Sequence, residues 1–347
     1  MKHPTFLSLL VCVAVIMIIQ TGTLHAGVKE QIMEGATGAK DMIVEGATEA
    51  KDQIGKGATE VKDQIGKGAT EVKDRVVDGV HKVVDMLTGN KPTLTSDKLR
   101  VAVYNIAYGR GNDRGGINEL GGKPQNLINA AQLLKNQKID IAGITEISRA
   151  DLRGGLTDQP STIAMFSGMP YHVYGENHRF GLIVIGMGNA IFSRFPILWS
   201  KNHALYREKS ENEQRGCLEA MIDLGEKGKV RVFVTHLSLN SAESNMQLRQ
   251  IWQIIKSRSE PSVLMGDFNS HPGSDNINFM SQNMINVSED SGGTYWPKSR
   301  QKNNQPAEKL DYIFVYGKLE KDGKSWITGF KEGYSDHGCL AISLQIP

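Results

Sequence analysis

The sequence predicts a mixed α/β fold over residues 98–347, preceded by an apolar leader and an 11-residue repeat. Three observations carry the prediction. Six apolar, strand-like runs each meet a polar side chain at one end. Two stretches between them, residues 125–135 and 243–256, show the spacing of amphipathic helices. The composition is globular, 39% hydrophobic and 22% charged over 347 residues, which suits one large domain or two small ones. The formal charge of +2 gives no global drive towards nucleic acid and leaves room for a local basic cleft.

Residues 1–26 have the layout of a secretory signal peptide. Lys2 and His3 precede an apolar stretch from Phe6 to Ile19, and Leu24-His25-Ala26 forms a small-residue cleavage site. The stretch is short of the roughly 20 residues that span a bilayer. Cleavage after Ala26 is therefore expected, with an uncleaved membrane anchor as the alternative. Either way the rest of the chain is expected to be exported.

Residues 27–90 carry VEGATEAKDQI, GKGATEVKDQI and GKGATEVKDRV, after a looser MEGATGAKDMI. Ala47, Ala50, Ile54, Ala58, Val61 and Ile65 recur at helical spacing. Eleven residues in three turns keep that stripe on one face with a slight right-handed drift. Gly55, Gly57, Gly66 and Gly68 oppose the helix, each by about 1 kcal/mol relative to Ala. A helical or partly disordered stalk is expected. A helix on a membrane surface over residues 28–87 and a coiled coil are the alternatives. The turn-rich GNKPTLTSD ends the segment, with residues 91–97 as linker.

The chemistry lies in the remainder. VLMGDFNSHPGSD joins a buried strand to Asp267 and Asn269, two residues apart. Side chains alternate along a strand, so both would face one way while Phe268 enters the core. Taken alone, Asp, Asn, Ser, Pro and Gly also make an ordinary turn. Five further runs repeat the grammar. LRVAVYNIAYG ends at Asn105, IDIAGITEIS at Glu146 and VRVFVTHLSLN at His236. KLDYIFV opens on Asp311, and GYSDHGCLAISL opens on Asp336 and His337. A lone Asn caps turns and a lone His usually sits in a core, but together these groups make a coherent set. Carboxylates and amides without clustered Cys describe a hard-cation site for Mg²⁺ or Mn²⁺. Histidines beside carboxylates suit phosphate contact and proton transfer. Cys217 and Cys339 lie in apolar runs and read as core residues; a disulfide between them is not readable from sequence.

The ordered set YN, TE, THL, GDFN, LDY and SDH resembles the endonuclease/exonuclease/phosphatase superfamily, which includes deoxyribonuclease I. GNAIFSRFPI, residues 188–197, resembles a strand-and-turn element of the same family. The resemblance implies a four-layer α/β sandwich: two mostly antiparallel sheets face to face, with helices outside. It implies Glu146 as the main metal ligand, supported by Asn105 and Asp336. Asp267 would orient or deprotonate the attacking water, and Asn269 would hold the phosphate. Asp311 and His337 would form a hydrogen-bonded pair, and His236 would contact a non-bridging or leaving oxygen. Arg215, in EQRGCLEAMI, is a candidate substrate contact, with a surface arginine as the alternative. RGNDRGG (110–116) and LRGGL (152–156) either flank the cleft or are plain surface connections.

The expected activity is that of an exported phosphodiesterase dependent on Mg²⁺ or Mn²⁺, with nucleic acid ahead of phospholipid as substrate. A membrane-lipid head-group phosphodiesterase and an inositol-type phosphatase are the alternatives. A reading from another class is a non-catalytic stress or surface protein that acts through its repeat.

Overall fold

A computed structural model describes residues 91–112, 121–180, 185–330 and 332–346. The chain divides into two units, Met1–Lys91 and Pro92–Pro347. The expected leader and repeat lie outside the described residues.

In chain order the second unit contains β1 (Lys98–Asn105), α1 (Pro124–Asn136), β2 (Ile141–Ile147), α2 (Gln159–Ser167), β3 (Tyr171–Phe180), β4 (Ile185–Ser193), β5 (Ile197–Ala204), β6 (Gly216–Asp223), β7 (Lys229–His236), α3 (Ser241–Lys256), β8 (Ser262–Asp267), α4 (Asp275–Asn283), β9 (Ile285–Asn286), α5 (Lys298–Lys302), β10 (Asp311–Tyr316), β11 (Glu320–Thr328) and β12 (Cys339–Gln345). The strands form two six-stranded sheets, ordered β11-β12-β1-β2-β4-β3 and β5-β6-β7-β8-β10-β9. Each sheet has one parallel pair, β1 with β2 and β7 with β8. A helix crosses between the strands of each pair, as parallel neighbours require. The remaining pairs are antiparallel.

Alternation along the strands explains the layering. Val101, Val103 and Ile141 of the first sheet meet Val232, Val234, Val263 and Met265 of the second in a core between the sheets. The alternate residues face outward. Ala102, Tyr104 and Ile144 pack under Leu127, Ala131 and Leu134 of α1 and Ile163 of α2. Phe233, Leu264 and Phe314 pack under Leu248, Ile251 and Ile255 of α3 and Ile277 of α4. Both faces of the central strands are therefore covered, which is why β1, β2 and β8 read as near-continuous apolar runs. Each fully buried Val, Leu, Ile or Phe contributes about 1.5–3 kcal/mol. Helix starts follow local chemistry: Pro124 at the head of α1, Asn240 accepting from the Glu243 amide at 3.0 Å, and Ser274 capping α4.

The sheets approach closely at Gly143. A Cβ there would lie 2.6 Å from Val234 and 2.7 Å from Met265. Any side chain would force the sheets apart below the strand ends. The 91–97 segment is docked onto the domain: Leu94 joins the inter-sheet core and its amide donates to Leu224 O at 3.1 Å. Cys217 and Cys339 are free, buried thiols in different outer cores, and burial pushes both thiols up.

One charged cluster on the second sheet shares two of the stretches quoted above, with Glu219 in EQRGCLEAMI and Arg231 in VRVFVTHLSLN. Glu219 of β6 is fully buried. Its Oε1 accepts from Arg231 at 2.7 Å and Arg258 at 2.9 Å. Its Oε2 bonds His203 Nε2 at 2.7 Å and accepts from Arg258 at 3.1 Å. Burial alone would raise this carboxyl; the donors from His203, Arg258 and Arg231 more than offset it and hold it at about 2.

Candidate active site

Strand register brings the polar ends together. In the second sheet His236 stands opposite Asp267, and Asp267 stands opposite Asp311, so three adjacent strands present one row. In the first sheet β1 ends at Asn105, opposite Thr145 and next to Glu146. Ser335, just before Asp336 and His337, donates to Asn105 O at 2.7 Å. The six runs singled out in the sequence thus converge on one end of the sandwich.

Asn105 is the bridge between the sheets. Its Nδ2 donates to Glu146 Oε1 at 3.1 Å and to Asp267 Oδ2 at 3.0 Å. Its Oδ1 accepts from the Ala107 amide at 3.0 Å. A backbone donor on one end and two carboxylates on the other fix the orientation of the amide. Asn105 therefore orients two acids, with its own oxygen already engaged. Glu146 has a left-handed backbone, φ 49°, where the β2–β4 register slips between Ile144 and Ile147. A non-Gly residue in this region costs of order 1–3 kcal/mol and persists where its surroundings enforce it. Arg110 lies 3.5 Å from Glu146 Oε2.

His337 and Asp311 are a tight pair, Nδ1 to Oδ2 at 2.7 Å, with both side chains buried. Burial would lower the imidazole; the Asp311 carboxylate, with Asp267 and Asp336 beyond it, outweighs burial and raises it to about 10. The shift favours the imidazolium near neutral pH, and its Nε2 lies 3.6 Å from Asp267 Oδ2. The pair rests on a brace that no sequence motif marked. Thr294 Oγ1 accepts from the amides of Leu310 and Asp311 at 3.1 and 3.0 Å. Thr294 O accepts from Gly338 and Asp336 O from Trp296. The Tyr295 ring lies 4.9 Å from the His337 ring.

His236 has no hydrogen-bonded acid among the described residues. Its Nε2 is also 3.6 Å from Asp267 Oδ2. Burial, and next the charge on Arg215, lower it to about 4, so it is neutral. Arg215 pairs with Glu213 at 2.9 Å and is only 12% exposed, so it is a buried neighbour of His236. Asn269 departs from simple strand alternation. The strand stops at Asp267, and Asn269 turns left-handed at φ 46°. Its amide donates to Asp267 Oδ1 at 3.0 Å and its Nδ2 to Leu237 O at 2.9 Å. Asn189 of β4, within the GNAIFSRFPI element, donates to Gly216 O and Val234 O at 3.0 and 3.3 Å. It ties the two sheets below His236.

The donor set suits a hard divalent cation. Glu146, Asp267, Asp311 and Asp336 are all buried, against one imidazolium and Arg110. That is an excess of oxygen-borne negative charge in low dielectric. Asp267, Asp311 and His337 each offer an atom within 4.8 Å of the others. An imidazolium whose Nδ1 is bonded to Asp311 has no lone pair for a metal, however.

Comparison with known proteins follows the same line. The model of the Endonuclease/Exonuclease/phosphatase family matches residues 102–337. Among solved structures, an endonuclease/exonuclease/phosphatase from Beutenbergia cavernae is 21% identical, with 72% of each chain covered and a TM-score of 0.58. A mannosyl-6-phosphatase from Bacteroides thetaiotaomicron is 19% identical over 71% of this chain and 99% of its own, at TM-score 0.53. D. rerio TDP2 complexed with a single-strand DNA product is 15% identical over 72% of this chain and 99% of its own, at TM-score 0.52. At these identities the likeness is one of fold. No curated protein matches the sequence significantly.

Proposed function

This chain belongs to the endonuclease/exonuclease/phosphatase family, whose members hydrolyse phosphoester bonds, and we propose that it is an exported, divalent-metal-dependent phosphodiesterase acting on nucleic acid. The observation that carries the reading is Asp267, held by Asn105 and flanked by two imidazole Nε2 atoms at 3.6 Å. Those gaps exceed hydrogen-bond length, so neither imidazole Nε2 is hydrogen-bonded to Asp267.

Glu146 and Asp336 would hold Mg²⁺ or Mn²⁺, with Asn105 fixing Glu146. Bound there, the cation offsets charge that develops on the phosphoryl and leaving oxygens. Asp267 orients the attacking water and accepts its proton as the P–O bond forms. His337 keeps its proton under the charge of Asp311 and donates a hydrogen bond to a non-bridging oxygen. Neutral His236 faces the same phosphate from β7. The P–O bond to the leaving group breaks, and the released alkoxide takes a proton from water. The apolar leader supports export.

The test is to incubate the full-length chain with supercoiled plasmid and Mg²⁺ or Mn²⁺, beside Asp267→Ala. Nicking by the wild type alone is expected. No nicking, with hydrolysis of a phosphocholine lipid instead, would move the substrate to a phospholipid head group.

A further inference from the structure

The two arginine- and glycine-bearing loops after β1 and β2 are stitched into one platform. The amides of Gly121 and Gly122 donate to Leu152 O and Arg153 O at 3.0 and 2.9 Å. A Cβ on Gly155 would lie 2.2 Å from Gly122 O, so the loops meet backbone to backbone. Two fully buried polar side chains hold them. Asp151 accepts from Ser148 Oγ, the Gly154 amide and the Gly186 amide at 3.1, 2.7 and 2.5 Å. Gln159 donates to Tyr108 O and Gly154 O at 2.7 and 3.2 Å and accepts from the Ser148 amide at 3.0 Å.

The platform holds two guanidinium groups over one ring. Arg153 lies 4.7 Å and Arg110 5.3 Å from the centroid of Tyr108. Tyr108 is itself left-handed, at φ 55°, and buried to 3% exposure, a strained conformation for a bulky residue. Arg110 reaches Glu146. The Arg153 side chain makes no hydrogen bond and no ion pair among the described residues, although Asp151 and Gln159 fix the loop that carries it. A half-buried guanidinium with no hydrogen-bond acceptor among the described residues is suited to receive an oxyanion. The burial of Tyr108, and next the charge of Glu146, push its hydroxyl up, while Arg153 and Arg215 pull it down, so these groups share one neighbourhood.

We propose that Arg153 is a second anion subsite on the Glu146 side of the cleft, which binds a phosphodiester adjoining the scissile one on a nucleic-acid strand. The subsite deepens the phosphodiesterase reading and rests on it. It makes a strand with successive phosphates the preferred substrate over one bearing a single phosphate.

The test is fluorescence anisotropy of labelled oligothymidylate and of labelled thymidine monophosphate on the full-length chain, with hydrolysis blocked by EDTA. Arg153→Ala is expected to weaken the oligomer about tenfold at low salt and to leave the mononucleotide within about twofold. The slope of log affinity against log salt should shrink by about 0.7, the signature of one lost contact to a single strand. Arg153→Lys should keep the slope and recover part of the affinity. Leu156→Ser, on the same loop, should change neither. Equal weakening of both ligands, no weakening of either, or no oligomer binding by the wild type would overturn the proposal. So would weakening confined to an inositol bisphosphate probe, which would give the subsite to a phospholipid. Oligomer binding through Arg153 without plasmid nicking would overturn the nuclease reading and leave the subsite standing.

Discussion

The Glu219 cluster and the cluster at the strand ends hold similar groups to opposite ends. Glu219 offers two oxygens and receives four donors, from His203, Arg231 and twice from Arg258. A carboxylate has about four lone-pair sites, so this one is saturated. At the strand ends, Asp267 Oδ2 has one donor at 3.0 Å and two at 3.6 Å, and Asp311 Oδ1 is buried without a hydrogen-bond partner. Burial and charge alone do not distinguish a structural ion network from a reactive site. Unfilled donor and acceptor positions do, because each leaves a place for a ligand atom.

The comparison breaks most sharply at Asp267. Asp267→Asn keeps the shape and removes the base, so phosphodiester hydrolysis should fall by about 10²–10⁴-fold. It also removes one of four crowded acids, so the melting temperature should not fall. A drop of many degrees would place Asp267 with the structural network. Glu219→Gln is the converse. Leaving Arg258 without its carboxylate, and Arg231 with Glu260 alone, should cost about 3–5 kcal/mol in denaturant unfolding, with the turnover number unchanged below the new midpoint. Its pH dependence sharpens the point. Glu219 is held at about 2 when folded, against roughly 4.3 in the unfolded chain. A depressed pKa adds stability above the unfolded value, and that contribution drains as pH falls from about 4.3 through 2. The variant should therefore show a flatter acid limb in that window. The smallest effect belongs to Thr294→Val, which removes one acceptor from two buried amides. A stability loss of about 1–3 kcal/mol is expected, together with a lower turnover number because Asp311 loses its brace. Unchanged turnover would make Thr294 purely structural.

Much of the fold was legible because its signals are local. The apolar runs, the 3.6-residue spacing of residues 125–135 and 243–256, and the polar strand ends are all short-range patterns, and α1 and α3 lie where the spacing put them. Burial of Phe268 under α3 and α4 follows from the same alternation. What sequence could not carry is which way an amide faces. Asn105 turns its NH₂ to Glu146 and Asp267, the latter 162 residues away, and no motif encodes that distance. Asn269 was read by strand alternation, but the chain has already left the strand. Thr294 and Tyr295 meet Asp311 and His337 only through the fold, and their own surroundings in sequence are plain turn and loop, whereas Arg153 lies in LRGGL, which the sequence does single out.

The place of β12 has a kinetic consequence. β1 has β2 on one side and β12 on the other, with Lys98 opposite Gln345. One edge of the first strand therefore stays unpaired until almost the whole domain has been made. Pairings this distant in sequence form slowly, and an open edge invites association with other chains while it waits. Asp336 and His337 ride on the same closing segment, so under the proposed mechanism hydrolysis would begin only when that last gap is shut. Activity then reports completed topology, and a nick that releases β12 would silence the enzyme with every other side chain in position.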